Sequence, residues 1–157
     1  MKQGLSSLLA VFLFSTLFFG CCEDEYLAWK KEGEAFLAAN KTNPDVTVTS
    51  TGLQYKILAT SQSQLKPKTT SYIRVNYTAS FCNGTIFDSG TNTTFFVNSL
   101  ISGFKEALLK MKLGEKWILY IPNDLAYGST GTKNTAGEYV VPPYSVIVYE
   151  VELVQIY

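Results

Sequence analysis

The chain has 157 residues, with 13 basic and 13 acidic side chains, three cysteines and no histidine. This length suits one domain with an appendage, and 46% hydrophobic residues are enough for a packed core, which excludes wholesale disorder. Zero net charge argues against a nucleic-acid-binding protein, because such a protein needs a basic face for the phosphates. Without histidine there is no Ser-His-Asp or Cys-His catalysis and no His-ligated zinc, so we expect a protein that uses neither metal nor cofactor.

Residues 1–20 have the pattern of an export signal. Lys2 precedes an uncharged apolar run over residues 5–19, which is shorter than the roughly 20 residues of a membrane-spanning helix. The run ends at Gly20 and Cys21, and a small residue before a cysteine at this place resembles a bacterial lipoprotein signal. We therefore predict a lipoprotein signal peptide with Cys21 as the lipidated residue. Ordinary secretion and an uncleaved anchor are the alternatives.

The predicted signal places the protein in the cell envelope, attached to the outer membrane only through its lipid, on the periplasmic face or at the cell surface. The acidic residues 23–25 are similar to tags that route some Bacteroidetes lipoproteins to the surface, and the alternative is a solvated spacer. Cys22 and Cys82 remain after lipidation of Cys21. An oxidising compartment permits a disulfide between them, which the sequence alone does not establish.

The segment after the signal, residues 21–50, is expected to be a lipid-anchored tether with a short amphipathic helix. Over residues 23–40, aromatic, aliphatic and small residues recur at steps of three and four positions along one face, namely Tyr26, Trp29, Gly33, Phe36 and Leu37. Asn43 and Pro44 end the helix. We interpret this face as a surface that packs on the following domain, and dimerisation is the alternative.

From Val46 onward the pattern changes to that of a sheet, and residues 51–157 are expected to form one domain. Strands are expected over residues 53–59, 73–79, 86–88, 117–121 and 145–157. Asn83-Gly84 predicts a tight hairpin, since both residues tolerate positive φ. Residues 103–111 are rich in helix formers and predict the one helix of this region. The fold class is therefore α+β, an antiparallel sheet with one short helix across it.

The sequence lacks a Gly-rich phosphate loop, zinc-ligand spacing and a nucleophile elbow. What remains is an ordered set of apolar residues with polar residues at turning points. The set comprises Val75-x-Tyr77, Asn83-Gly84-Thr85-x-Phe87-Asp88-Ser89, Leu100-Ile101-x-Gly103-Phe104, Met111-x-x-Gly114, Ile121-Pro122-x-x-Leu125-Ala126-Tyr127-Gly128, Val141-Pro142-Pro143 and Val151-Glu152-Leu153. In this order, over roughly residues 51–157, it resembles the FKBP-type peptidyl-prolyl cis–trans isomerases in their exported bacterial lipoprotein form. The resemblance implies an FKBP-like antiparallel sheet wrapped around one short helix, with an N-terminal helical extension.

The resemblance also implies a shallow apolar pocket between the sheet and the helix. The residues implied for catalysis are Tyr77, Phe87, Asp88 and Tyr127. The residues implied for substrate binding are Phe95, Leu100, Ile101, Phe104, Val140, Val141 and Tyr149. Phe104, where the family usually has tryptophan, would form the floor, while the hydroxyl of Tyr127 and the N–H of Ile101 would donate to substrate carbonyls. From spacing alone, Tyr77 and Tyr149 could instead be strand core, and Asp88 a turn residue.

The activity implied by the resemblance is rotation about X-Pro bonds, which needs neither a nucleophile nor a metal. Its partners would be proline-containing unfolded or exported polypeptides, with macrolides as inhibitors. Residues 132–139 form a longer loop than is usual in the family and would overhang the site. One alternative is a proline-directed binding or chaperone module with weak or no catalysis. Another is a surface component of a binding complex, with a partner patch formed by Phe81, Tyr139 and Tyr144.

Overall fold

The computed structural model describes the backbone of residues 22–157 and the side chains from Tyr26 onward. The predicted signal peptide and the predicted lipidation site, Cys21, lie outside the described residues. Within the described part of the chain, no helix is both long and apolar enough to cross a membrane.

Two α-helices and eight strands follow one another within residues 22–157. Their order is α1 (Cys22–Asn40), β1 (Thr47–Val48), β2 (Gln54–Ala59), β3 (Tyr72–Phe81), β4 (Ile86–Phe96), α2 (Ser102–Lys110), β5 (Lys116–Ile121), β6 (Thr132–Lys133), β7 (Tyr139–Val141) and β8 (Ile147–Ile156). Short 3-10 turns at Val97–Ser99 and Asn123–Leu125 precede α2 and follow β5. The predicted strands and the predicted helix are all present with ends shifted by one or two residues, except that β4 extends eight residues beyond the predicted 86–88.

Six of the strands form one sheet in the order β1-β2-β5-β8-β3-β4. Every neighbouring pair is antiparallel, and β8 lies at the centre between β5 and β3. The remaining strands, β6 and β7, form a separate two-stranded hairpin. The predicted α+β class is therefore confirmed.

The core lies between α2 and the face of the sheet that carries the predicted alternating residues. In β5, Trp117, Leu119 and Ile121 are buried while the residues between them are partly exposed. From the helix, Phe104 and Leu108 are buried against this face. Because alternate residues of a strand point to opposite sides, the period-two pattern of the sequence is enough to define which side is buried.

The predicted hairpin between β3 and β4 is confirmed, although its geometry differs from the expected one. Only Gly84 has a positive φ, of 87°, so Asn83 is not in the left-handed region. The N–H of Gly84 donates to the carbonyl of Phe81, and the N–H of Phe81 donates to the carbonyl of Thr85, each at 2.9 Å. This is a three-residue loop in which the glycine closes the turn.

Helix α1 packs on the domain through the predicted face. Trp29 Nε1 donates to Ser145 Oγ at 3.0 Å, and Gln54 Nε2 donates to the carbonyl of Leu37 at 3.0 Å. A Cβ on Gly33 would lie 2.7 Å from Cγ2 of Val146, so the glycine allows the helix to approach closely. The helix is therefore anchored to the sheet domain near both of its ends.

The partner patch predicted from Phe81, Tyr139 and Tyr144 is not an open surface at Phe81, which is buried, and α1 contacts all three residues although Tyr139 remains 38% exposed. Trp29 packs edge-on against Phe81, with 5.6 Å between ring centroids, and Phe81 is only 9% exposed. Tyr26 packs against Tyr139 at 5.6 Å, and Lys30 Nζ lies 5.1 Å from the ring centroid of Tyr144. These aromatic residues serve as the docking surface for the helix of the same chain.

The predicted long loop over residues 132–139 is an ordered hairpin. Strands β6 and β7 pair through Thr132 and Val141. At its tip, Oδ1 of Asn134 accepts hydrogen bonds from the N–H groups of Ala136 at 2.9 Å and Glu138 at 3.0 Å. An asparagine that bonds the backbone two residues ahead mimics a backbone turn, which explains the ordered tip.

Candidate active site

The residues implied for the pocket come from elements on both sides of the core. They are Tyr77 on β3, Phe87, Asp88 and Phe95 on β4, Leu100 and Ile101 before α2, Phe104 on α2, Tyr127 in the loop after β5, Val140 and Val141 on β7, and Tyr149 on β8. The antiparallel order of the sheet places β8 next to β3 and β3 next to β4. This order places the contributions of the three strands side by side.

The base of the site is a pair of stacked aromatic rings. Phe104 is 2% exposed, and its ring lies parallel to that of Tyr149, with 4.7 Å between centroids and 15° between planes. Gly103 allows α2 to approach this closely, because a Cβ there would collide with Cγ2 of Ile121. Stacked aromatic pairs stabilise a fold by about 0.5–1.5 kcal/mol beyond the area they bury, so this base is rigid and apolar.

Tyr77 connects the base to the edge of the site. Its ring centroid lies 5.9 Å from that of Tyr149 and 5.6 Å from that of Phe95. Its hydroxyl donates a 2.8 Å hydrogen bond to Oδ2 of Asp88. Partial burial, followed by the hydrogen bond and the negative charge of Asp88, raises the pKa of Tyr77 to about 12. The hydroxyl therefore remains a proton donor throughout the physiological range.

Asp88 is exposed, but both of its carboxylate oxygens have partners. Oδ2 accepts from Tyr77, and Oδ1 accepts from the N–H of Ser89 at 2.8 Å. The carboxylate is therefore held in one orientation at the edge of the site. In this arrangement it orients Tyr77 and contributes a fixed negative charge.

Tyr127 brings a second hydroxyl to the site. Burial raises the pKa of Tyr127, although hydrogen bonding with Tyr149 works in the opposite direction. Burial, followed by the neighbouring charges and the hydrogen bond to Tyr127, also raises the pKa of Tyr149. The two hydroxyls thus interact and stay protonated at neutral pH, so the site is rich in neutral donors.

Ile101 supplies a backbone donor beside the aromatic base. Its carbonyl accepts the N–H of Lys105 at 3.0 Å as α2 begins. Its own N–H has no acceptor among the residues that the structure describes. A backbone N–H without a partner is unfavourable if water is excluded, so a ligand carbonyl is a natural acceptor for it.

Two of the implied residues, Phe87 and Val140, lie at the margin of this cluster. Phe87 stacks on Phe81, with 4.7 Å between centroids and 23° between planes, so it forms the side of the site that faces α1. Val140 is 43% exposed whereas Val141 is 1% exposed, because neighbouring residues of β7 point to opposite sides. Only Val141 belongs to the buried cluster.

The sequence did not predict two residues, Gly90 and Phe81, that pack against side chains of the site. Gly90 lies opposite Tyr77 in the register of β3 and β4, and a Cβ on Gly90 would lie 2.7 Å from Cε1 of Tyr77. Phe81 supports Phe87 and was interpreted as surface, although it is in phase with the buried Ile73 and Ala79 of the same strand. The alternation along β3 could therefore have predicted that Phe81 is buried, whereas no sequence pattern predicts that Gly90 lies against Tyr77.

The chemistry available at the site is limited to binding and polarisation. Within the described residues, no group of three or more His, Cys, Asp or Glu side chains could hold a metal ion. The site offers an apolar base, two tyrosine hydroxyls, a backbone N–H and one oriented carboxylate. These groups can hold an apolar ring and donate hydrogen bonds to carbonyls of a bound chain.

Comparison with known proteins gives the family to which the chain is similar. Residues 63–154 match the family described as FKBP-type peptidyl-prolyl cis-trans isomerase, and residues 22–57 match the domain amino terminal to FKBP-type peptidyl-prolyl isomerase. Peptidyl-prolyl cis-trans isomerase Mip of Coxiella burnetii is 38% identical over 130 residues, which cover 80% of this chain and 54% of the relative. Outer membrane protein MIP of Legionella longbeachae is 36% identical over 131 residues, which cover 81% and 54% of the two chains.

A solved structure extends the similarity to the fold. The crystal structure of a peptidyl-prolyl cis-trans isomerase from Pseudomonas syringae has a TM-score of 0.75 and 32% sequence identity to this chain. The similarity covers 83% of this chain and 94% of that one. Measured against the two curated relatives, the chain spans about half of their length.

Proposed function

Because the chain belongs to the FKBP-type peptidyl-prolyl cis-trans isomerase family, we propose that it accelerates rotation about X-Pro bonds in exported polypeptides. The observation that carries this proposal is the stack of Phe104 on Tyr149, bordered by tyrosine hydroxyls and by the N–H of Ile101, which has no acceptor within the described residues. Such a site suits an apolar ring flanked by carbonyl groups, which describes a prolyl residue in a polypeptide.

The proposed rate acceleration follows from the electronic structure of the amide. The barrier to rotation of a peptide bond is about 18–20 kcal/mol and arises from resonance, which makes the planar amide polar. A twisted amide loses this resonance, so its carbonyl needs less solvation by water. An apolar aromatic site therefore destabilises the planar amide relative to the twisted one, and the barrier falls.

Each group at the site has a role in this proposal. Phe104 lies beneath the proline ring, and Tyr77, Phe87 and Tyr149 form the walls. The hydroxyl of Tyr127 and the N–H of Ile101 donate to carbonyls on either side of the prolyl bond. These donors fix the flanking chain so that rotation is confined to the prolyl bond.

Asp88 acts through Tyr77 and through its charge. The raised pKa of Tyr77 and the partners on both carboxylate oxygens support a fixed dipole at the edge of the site. Rotation about the amide C–N bond requires no proton transfer. Asp88 is therefore a positioning residue in the proposal.

We place the protein in the cell envelope, lipidated at Cys21 and held at the outer membrane, where its clients are proline-containing unfolded polypeptides. The support is the signal-like pattern of residues 1–20 and the similarity to a relative named outer membrane protein MIP. Mass spectrometry of the N-terminal peptide tests the anchor. A diacylglyceryl cysteine at position 21 supports it, and an unmodified residue 21 overturns it.

A protease-coupled isomerisation assay with X-Pro tetrapeptides tests the activity. The wild type is compared with the double variant Asp88→Ala/Tyr127→Phe, and Tyr72→Phe on the exposed end of β3 is the control. We expect the double variant to lose at least about tenfold in kcat/KM and the control to keep its rate. A wild-type rate equal to the uncatalysed rate would leave a proline-binding module without turnover, whereas equal catalysed rates in the two proteins would contradict the roles of Asp88 and Tyr127.

A further inference from the structure

A second cavity lies between α1 and the hairpin that joins β3 to β4. Its volume is about 500 Å³, within the range of about 300–1,000 Å³ that is usual for ligand sites. The lining residues that matter here are Trp29, Glu32, Phe81, Thr85 and Pro142, and we refer to this cavity as the helix groove.

The helix groove adjoins the candidate site through one aromatic contact and one step along the chain. Phe81, in the groove, stacks on Phe87, which forms the pocket side nearest to α1. Pro142, also in the groove, directly follows Val141 of the buried pocket cluster. The groove therefore lies beside the Phe87 side of the candidate site, where a chain bound at the site can extend.

The hydrogen bonds of Trp29 keep the groove open. Its indole N–H donates to Ser145 Oγ at 3.0 Å, and that hydroxyl donates to the carbonyl of Pro142 at 2.8 Å. The indole is thus fixed edge-on to Phe81, with 82° between the ring planes. Two walls of the groove are preformed, which lowers the entropic cost of binding a flexible chain.

The chemistry of the lining indicates what the groove binds. Its walls are mostly apolar and aromatic, and among the described residues that line it Glu32 is the one charged side chain. Burial, followed by the negative charge of Glu32, raises the pKa of the Cys82 thiol in the hairpin that borders the groove. An apolar side chain next to a cationic one complements these walls.

We propose that the helix groove binds the part of a client polypeptide that flanks the proline, and that it favours an apolar side chain next to lysine or arginine. This inference rests on the proposed isomerase function and extends its substrate preference beyond the prolyl bond. Helix α1 then contributes to client selection, in addition to its structural role.

Native tryptophan fluorescence measures occupancy of the groove directly. The chain has two tryptophans, and Trp117 is 3% exposed in the core and stacked on Tyr55, so Trp29 is the one that a ligand can reach. We expect a long X-Pro peptide with a flanking Phe-Lys pair to change the emission, whereas an X-Pro tetrapeptide does not. The change disappears in Trp29→Phe.

Kinetic measurements on groove variants complete the test. Thr85 lies in the exposed hairpin, and Thr85→Trp places a large side chain in the groove. We expect this variant to raise KM for the long peptide about tenfold relative to KM for the tetrapeptide, which serves as the reference substrate. Glu32→Lys raises KM for the Phe-Lys peptide and lowers it for a Phe-Glu peptide. Glu34→Lys makes the same charge change on the same helix but outside the groove lining, and it serves as the control.

Unchanged KM values for the long peptide in both Thr85→Trp and Glu32→Lys would overturn the proposal. Concentration-dependent dimerisation that Thr85→Trp abolishes would also overturn the proposal, because it would show that a second copy of the chain fills the groove. Failure of the isomerase proposal is distinguishable, since it appears as a wild type that does not isomerise the tetrapeptide. In that case a Trp29 response to the long peptide would still support a peptide site in the groove.

Discussion

The hydroxyl of Tyr77 donates a 2.8 Å hydrogen bond to Oδ2 of Asp88 and links strands β3 and β4 at the edge of the candidate site. In the register of the two strands Asp88 lies opposite Ala79, two residues from Tyr77, so the bond is a diagonal cross-strand pair. It holds the Tyr77 ring beside Tyr149 and Phe95. The shape of the pocket wall therefore depends on a polar contact at its rim.

Removal of this hydroxyl tests its contribution. We expect Tyr77→Phe to reduce kcat/KM about tenfold, because the ring loses its orienting bond. The loss in unfolding free energy should be only about 1 kcal/mol, since water can solvate the exposed Asp88. Urea unfolding and the isomerisation assay measure the two quantities. Tyr72→Phe, at a position 54% exposed on the same strand, is the matched control and should change neither.

The pKa of Tyr77 predicts a distinct alkaline transition. Tyrosines of the unfolded chain titrate near pH 10, whereas Tyr77 titrates at about 12, and burial raises the pKa of Tyr127 and Tyr149 as well. The folded state retains protons that the unfolded state has lost, so this contribution to stability is complete below about pH 10 and declines as the pH rises through about 12.

Tyrosinate absorbance measures this transition. Of the ten tyrosines, we expect a subset to ionise only when the pH approaches 12, and Tyr77→Phe should remove part of that late phase. The midpoint of urea unfolding should fall between about pH 10 and about pH 12. Titration of all ten tyrosines as a single group near pH 10 would contradict the buried environment of the site.

The close approach of Gly90 to Tyr77 predicts a specific effect of one methyl group. In Gly90→Ala the new Cβ would lie 2.7 Å from Cε1 of Tyr77 and would also collide with Oγ1 of Thr93. We expect the ring to be displaced, with a loss of about 1–3 kcal/mol in unfolding free energy and a lower kcat/KM. Gly137→Ala is the control, because Gly137 has φ of 84° but no neighbour within 4 Å of a Cβ. It should reduce stability and leave activity unchanged.

The packing of α1 predicts coupling between Gly33 and Val146. A Cβ on Gly33 would lie 2.7 Å from Cγ2 of Val146, so Gly33→Ala should lower stability even though alanine favours helix by about 1 kcal/mol. Val146→Ala alone should also destabilise, because Val146 is 2% exposed. In the double variant the two methyl changes offset each other, and a double-mutant cycle should give a coupling of about 0.5–3 kcal/mol. Additive effects would show that α1 does not pack in this way.

Local patterns were sufficient to predict most of the fold. The alternation in β3 and β5 identified the buried side of the sheet, and the spacing of Trp29 and Gly33 identified the packed side of α1. These patterns are local, because side-chain direction in a strand or helix is set by its period. The sequence could therefore define faces before any tertiary contact was known.

The residues that pack against those faces could not be predicted from local patterns. Trp29 bonds Ser145, which is 116 positions away, and no local pattern specifies such a pair. For this reason Phe81 was misinterpreted as a partner surface, although α1 covers it. Gly90 was missed because the need for a glycine there arises only from the ring of Tyr77 across the strand pair.

The rate of cis–trans exchange in an X-Pro peptide, measured by NMR exchange spectroscopy with a substoichiometric amount of the protein, tests the central claim most directly. The uncatalysed exchange takes tens to hundreds of seconds at 25 °C. We predict that the protein accelerates it at least about a hundredfold, equivalent to roughly 2.7 kcal/mol of barrier. An exchange rate equal to that of the free peptide, with the peptide bound at the aromatic site, would contradict the isomerase function.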